Sequence, residues 1–339
     1  MWDKNIQNVI IIIYLTTIIL GAFPMSIWFA IALFAVSITI LLWSAKLFTQ
    51  AAESIGALLG LSSFVIGVVI VSVGTSLPEL VASVVAVRGG NSEVVSGNLL
   101  GSSLSNLLFV MGLTALLSSK RIDLGSQYVY IDLNFLIGAA IITVTIMYDG
   151  TVSFWEASLG LLAYGLYLFY LLKCNEASQD TESLVPATIS NGYLKPIAIM
   201  LITGMLIYFS ASKTIESVAN IADHLEINKA IVSMTLLAIG TTLPECVVSV
   251  TAARQGKAHL AVGNVLGSCI FNALAIPGIA SAFGNLTVPN ELLSFSLPFY
   301  TGSIIFFYLI TQDKKVSHFE GALLLLIYAL FIGKVSNLV

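Results

Sequence analysis

Of 339 residues, only 14 are Lys or Arg and 18 are Asp or Glu, so 9% carry charge, where a soluble domain has about 25%. Hydrophobic residues make up 58% and the mean hydropathy is +0.98, which excludes an ordinary soluble enzyme and marks an all-α polytopic membrane protein. A net charge of −4 without a basic cluster leaves no footprint for nucleic acid, and the cysteines, Cys174, Cys246 and Cys269, are odd in number and read as packing residues rather than a disulfide framework.

At about twenty apolar residues per helical span, spans are predicted near 8–24, 26–48, 62–87, 94–118, 128–148, 152–173, 196–222, 228–253, 258–283, 291–311 and 316–337. The first is short and follows a Met-Trp-Asp-Lys start; residues 1–25 are read as an extra N-terminal hydrophobic helix in preference to a signal sequence. A polar interval at 174–195, with Asn175, Glu176, Asp180, Glu182, Pro186 and Asn191, is the natural linker between a first five-helix unit, 26–173, and a second, 196–339.

Those two units are copies. A shift of 166 residues lays Gly74-Thr75-Ser76-Leu77-Pro78-Glu79 on Gly240-Thr241-Thr242-Leu243-Pro244-Glu245. It also lays Gly97-Asn98-Leu99-Leu100-Gly101-Ser102 on Gly263-Asn264-Val265-Leu266-Gly267-Ser268, and Asn106 on Asn272. Between 74 and 108, 18 of 35 positions are identical, polar ones and Arg88/Arg254 included. A weaker echo pairs Trp155-Glu156 and Tyr164 with Phe319-Glu320 and Tyr328. An odd number of spans per copy inserts the second copy upside down, which is the inverted-repeat plan of secondary transporters, whose site lies near the midplane between repeats. Basic residues give the orientation. With a cytoplasmic linker, Lys4, Lys46, Lys120, Arg121, Lys173, Lys195, Arg254, Lys257, Lys314 and Lys315 fall inside and Arg88, Lys213, Lys229 and Lys334 outside.

Glu79 is the only charged residue in 62–87, and Glu245 the only one in 230–253. A charge at bilayer depth costs about 2.5–3.5 kcal/mol on insertion scales and marks a pathway facing the bundle interior. Pro78 and Pro244 cannot donate to the carbonyls of Gly74 and Gly240, so each helix is interrupted one turn before its glutamate. The freed carbonyls, with the hydroxyls of Thr75, Ser76, Thr241 and Thr242, are oxygen ligands for a hard cation. In the next span Ser102 and Asn106, and again Ser268 and Asn272, are spaced i, i+4 and share a helix face. Glycines 97, 101, 112, 263 and 267 read as positions of close helix approach, and Asn98 and Asn264 as helix-end structural groups. The constellation is all oxygen, which favours Ca²⁺, Mg²⁺ or Na⁺ over zinc or copper and calls for no cofactor.

The paired G-T-[ST]-L-P-E and G-N-x-[IVL]-G-S-x-x-x-N motifs resemble those of the sodium/calcium exchanger (cation/calcium antiporter) family, in particular its prokaryotic members, over about residues 26–339. The resemblance implies ten core helices, a location in the prokaryotic plasma membrane, and antiport of Ca²⁺ against Na⁺ by alternating access rather than an enzymatic reaction. It places Glu79 and Glu245 as central cation-coordinating glutamates and Asn106 and Asn272 at the amide or carboxylate position of that site. Ser102, Ser268, Thr75, Ser76, Thr241 and Thr242 fall on flanking sodium-site positions, and the family's backbone ligands fall on Ser72 and Ala238. Some exchangers carry Asp where this chain has Asn272, and many have Asn where it has Ser103 or Cys269. Coupling to H⁺ or K⁺ is the alternative within the same class, and a cation channel built from similar oxygens is the alternative outside it. An intramembrane metalloprotease would need an H-E-x-x-H helix, and His224, His259 and His318 provide none.

Overall fold

A computed structural model describes residues 26–90, 92–124, 133–177, 194–224 and 242–335. The predicted first span, the linker from 178 to 193 and residues 228–241 of the eighth span lie outside this set. Every other predicted span holds a helix. Among the described residues, seven helices are long and apolar enough to cross a bilayer, eight with one bent pair counted as a single span.

Helix α1, Ile27–Leu58, starts where Ser26 Oγ accepts from Phe29 N at 3.3 Å. It runs ten residues past the predicted end at 48. Lys46 reads as a terminus, but it points outward while Ala51, Ala52, Ile55 and Gly56 beyond it bury against the core. At about 1.5 Å per residue its 32 residues are longer than a bilayer core is thick. The helix lies along α7, Leu194–His224, where Thr214 Oγ1 donates to Ser37 Oγ at 3.0 Å.

The next span is broken where the prolines predict. Helix α2, Ser63–Thr75, and α3, Leu77–Arg88, meet at 41°. Ser76 stands between them at φ −88°, ψ 3°, and Pro78 sits in the first turn of α3, where its missing N–H is harmless. In the second half Thr242 has the same backbone, φ −96°, ψ 5°, ahead of α8, Leu243–Arg254, with Pro244 in its first turn. Helices α4, Glu93–Leu117, and α9, Ala258–Phe283, follow the two breaks. Each carries a π-helical turn, Ser105–Val110 and Phe271–Ala275, holding Asn106 and Asn272; such turns often mark functional sites.

Gly263 and Gly267 let α2 and α9 touch at the backbone. A Cβ at Gly263 would lie 2.4 Å from Phe64 O, and one at Gly267 would lie 2.6 Å from Ser72 Oγ. Gly112 meets Gly321 O in the same way. Gly97 and Gly101 meet no backbone this closely among the described residues.

The remaining elements are α5, Leu133–Met147; α6, Phe154–Ala177; α10, Leu292–Ile310; and α11, His318–Val335. The weak echo at Glu156 and Glu320 is a duplicated capping box. Ser153 N donates to Glu156 Oε2 at 2.8 Å ahead of α6, and Ser317 N to Glu320 Oε2 at 2.6 Å ahead of α11.

Four two-residue strands pair across the halves: β1, Ile122–Asp123, with β4, Lys315–Val316, and β2, Thr151–Val152, with β3, Leu286–Thr287. Ile122 faces Val316 and Leu286 faces Val152, so one displacement along the chain carries Ile122 to Leu286 and Val152 to Val316. Each half therefore lends its first strand to the other half's second strand.

Candidate cation site

Glu79 and Glu245 sit in the first turns of α3 and α8 and are buried, at 1% and 0% exposure. Their carboxyl groups are within electrostatic reach of each other. Burying one unpaired charge costs several kcal/mol even after the protein relaxes, and two carboxylates together need countercharge.

Hydrogen bonds between the halves run beside them. Ser76, one turn ahead of Glu79, has its Oγ 3.2 Å from both Glu245 Oε1 and Ser268 Oγ. Asn272 Nδ2 donates to Ser102 Oγ at 3.1 Å, which fixes the amide and turns Oδ1 away from Ser102. Thr75 Oγ1 lies 3.3 Å from Asn264 Oδ1 and 3.3 Å from Ser72 O. Thr242 Oγ1 is 2.7 Å from Ser105 Oγ.

Several oxygens of the motif residues are left over. Glu79 Oε1 and Oε2, Glu245 Oε2, Asn106 Oδ1 and Asn272 Oδ1 are all buried without a hydrogen-bond partner. Native interiors leave few polar atoms in that condition, and each calls for an explanation. Five such oxygens come from the four motif residues, three of them on carboxylates, and oxygen of this kind is what hard cations take as ligands. Among the described residues no three His, Cys, Asp or Glu side chains gather as a metal cluster.

The other expected ligands are distributed as follows. Ser72 is buried with Oγ donating to Val68 O, while its carbonyl accepts from Thr75 Oγ1 and from Ser76 N at 3.0 Å. Ala238 and Thr241 lie outside the described residues. Asn98 and Asn264 are not at helix ends: they lie inside α4 and α9. Asn264 ties the halves together by accepting from Thr75 Oγ1 at Oδ1, while within its own half Nδ2 donates to Ser249 Oγ at 2.8 Å and to Glu245 O at 3.3 Å. The glycine beside it suggests a helix terminus in sequence, but Gly263 is small because Phe64 O passes over it.

A model of the family described as "Sodium/calcium exchanger protein" matches residues 29–173 and 195–335. The chain belongs to the sodium/calcium exchanger family. It is 31% identical over 253 residues to a putative antiporter, CaxA, of Alkalimonas amylolytica, covering 73% of this chain and 78% of that one. It is 29% identical over 326 residues to the sodium/calcium exchanger MaX1 of Methanosarcina acetivorans, covering 84% and 92%. Its fold matches a structure of the sodium-calcium exchanger NCX_Mj soaked with zero Na⁺ and Ca²⁺, at a TM-score of 0.73 and 25% identity, over 90% of this chain and 98% of the other. Like other members of the sodium/calcium exchanger family, it is a multi-pass integral membrane protein.

Three residues of this family member that touch the site escape the motif reading. Ser105 and Tyr328 join Thr242 through hydroxyls, Tyr328 OH donating to Ser105 Oγ at 3.3 Å, and Ser249 holds Asn264. Ser105 lies between two motif residues, and its partners are far away in the chain. The Tyr164/Tyr328 echo is the one sequence signal that pointed to any of them.

Proposed function

We propose that this exchanger-family protein is a secondary active antiporter that carries Ca²⁺ against Na⁺ by alternating access, in the plasma membrane of a prokaryote. Its cation site lies at the midplane between two inverted five-helix repeats, 26–173 and 196–339. The observation that carries the proposal is the set of unpartnered buried oxygens on Glu79, Glu245, Asn106 and Asn272, two residues from each half. One Ca²⁺ balances the two carboxylates, and Na⁺ ions can do the same with neutral oxygens as neighbours. That interchangeability is what couples the two ions.

The cross-paired strands support the inversion, because a first strand can reach the other half's second strand only if the halves run oppositely through the membrane. Unequal packing of equivalent elements supports alternating access. Helix α8 is buried and rests on α1, whereas α3 leaves Val81 at 59% and Val85 at 64% exposure. Sequence-equivalent hairpins in unequal surroundings are expected of a carrier caught in one of its two states.

The test is Ca²⁺ flux in proteoliposomes under imposed Na⁺, K⁺ or H⁺ gradients. Uptake driven by an outward Na⁺ gradient is the expected result. Uptake that follows only K⁺ or H⁺ would replace the counter-ion, and single-channel currents without exchange would refute antiport.

A further inference from the structure

The asparagines of the two G-N motifs are in different conditions. Asn264 is buried and bonded at both ends of its amide: Nδ2 donates to Ser249 Oγ at 2.8 Å and to the carbonyl of Glu245 at 3.3 Å, and Oδ1 accepts from Thr75 Oγ1 at 3.3 Å. One side chain of α9 thus holds both α8, at its glutamate, and Thr75 at the break ahead of α3. Ser249 lies one turn beyond Glu245 toward Arg254, and Asn264 lies one turn before Ser268 on the same helix face. This clasp therefore stands beside the cation site, on the side where α8 ends.

The 166-residue shift carries Asn264 to Asn98 and Ser249 to Ser83, so the chain holds the parts of a second clasp on the side where α3 ends at Arg88. It is not assembled. Ser83 Oγ is buried, at 2% exposure, and has no partner, so Asn98, half-buried on α4, does not donate to it. A buried hydroxyl in that condition calls for an explanation, and a second arrangement of the halves that brings it a partner supplies one. The packing is unequal in the same sense, since α8 is buried while α3 exposes Val81 and Val85.

We propose that Asn264 and Asn98 are alternating clasps: Asn264 shuts the side of the site where α8 ends, and in the carrier's other state it lets go while Asn98 closes on Ser83 where α3 ends. This rests on the alternating-access reading above. Equivalent substitutions then act in opposite directions, because Asn264 stabilises the state seen here and Asn98 the other one.

The experiment is hydrogen–deuterium exchange of the purified full chain in detergent, without Na⁺ or Ca²⁺, read by mass spectrometry over 243–254. Amides of α8 exchange when its side opens, so their rate follows the population of the other state. Asn264→Ala should speed this exchange about tenfold, the ratio that loss of one or two buried hydrogen bonds gives. Ser249→Ala, a milder change that removes a single acceptor, should speed it less. Asn98→Ala and Ser83→Ala should slow it by up to about the same factor, and Asn98→Ala added to Asn264→Ala should bring the rate back toward that of the parent. A purely structural asparagine on α4 would leave α8 unchanged or faster when replaced. Unchanged or faster exchange in both Asn98→Ala and Ser83→Ala, or a double variant no slower than Asn264→Ala, would overturn the proposal. Flux of the parent in proteoliposomes separates this failure from that of the reading beneath it: exchange of Ca²⁺ for Na⁺ with those results overturns the clasps alone, whereas channel currents without exchange overturn antiport and the clasps together.

Discussion

Replacing either glutamate by glutamine keeps the side chain's shape and removes its charge, and the two sites predict different stability changes. Glu79 has two buried oxygens without a partner, while Glu245 has one partnered with Ser76 at 3.2 Å. Neutralising Glu79 removes a charge that costs about 2.5–3.5 kcal/mol at membrane depth and breaks no hydrogen bond. Neutralising Glu245 removes a similar cost but weakens the bond from Ser76, which loses about 1 kcal/mol in going from a charged to a neutral acceptor. In Na⁺-free buffer with a chelator, Glu79→Gln should therefore unfold at a higher temperature than the parent and higher than Glu245→Gln. Both variants should also lose ligand stabilisation. A site that binds only the folded state adds about 2.7 kcal/mol at a Ca²⁺ concentration of 100 Kd, a shift of several degrees. Thermal unfolding by intrinsic fluorescence, with and without Ca²⁺, reads both effects, and Ca²⁺ flux in proteoliposomes should be abolished in both. A Ca²⁺-dependent shift retained in either variant, or Glu245→Gln more stable than Glu79→Gln, would refute the reasoning.

Cysteines at 88 and 254, introduced with Cys174, Cys246 and Cys269 removed, should react with an impermeant thiol reagent from opposite membrane faces; labelling from one face would exclude inverted repeats. Gly263→Ala places a Cβ 2.4 Å from Phe64 O and should cost at least about 1–3 kcal/mol with loss of flux, while Gly302→Ala, with no neighbour within 4 Å, should be neutral or slightly stabilising in the same unfolding assay. Ser153→Ala and Ser317→Ala each remove a capping-box hydroxyl and should lower stability by about 0.5–2 kcal/mol without changing the Ca²⁺ Kd.

Much of the fold is legible because charge and proline are so rare in these spans. One glutamate in an apolar run, one proline just before it and a second copy 166 residues on point to the broken helices and to the residues of the candidate site from the sequence alone. What the sequence hides depends on contacts between distant segments. Lys46 looks like the end of α1 because a charge in an apolar run normally marks the interface, yet small residues beyond it keep the helix packed to Leu58. The i, i+4 spacing of Ser102 and Asn106 suggests one ligand face, but the π turn begins at Ser105, and Ser102 serves as the acceptor for Asn272 from the other half. Nothing in the sequence marks Ser105, because its hydroxyl partners, Thr242 and Tyr328, lie 137 and 223 residues away.

Hydrogen bonding at the site also bears on coupling. Ser76 to Glu245 and Ser268, Thr75 to Asn264, Asn272 to Ser102, Ser105 to Thr242 and Tyr328 to Ser105 all run between halves. A relative movement of the halves large enough to open the site must strain several of these bonds together. Leaving buried polar groups unpaired costs about 1–3 kcal/mol each, more when they are charged. In the antiport cycle proposed above, a bound cation would offset that cost by ligating oxygens from both halves at once, whereas the cation-free site would leave Glu79 and Glu245 to repel each other. On that proposal the same bonds that assemble the site would penalise passage of the empty carrier between two states, which is the condition for exchange in place of leak.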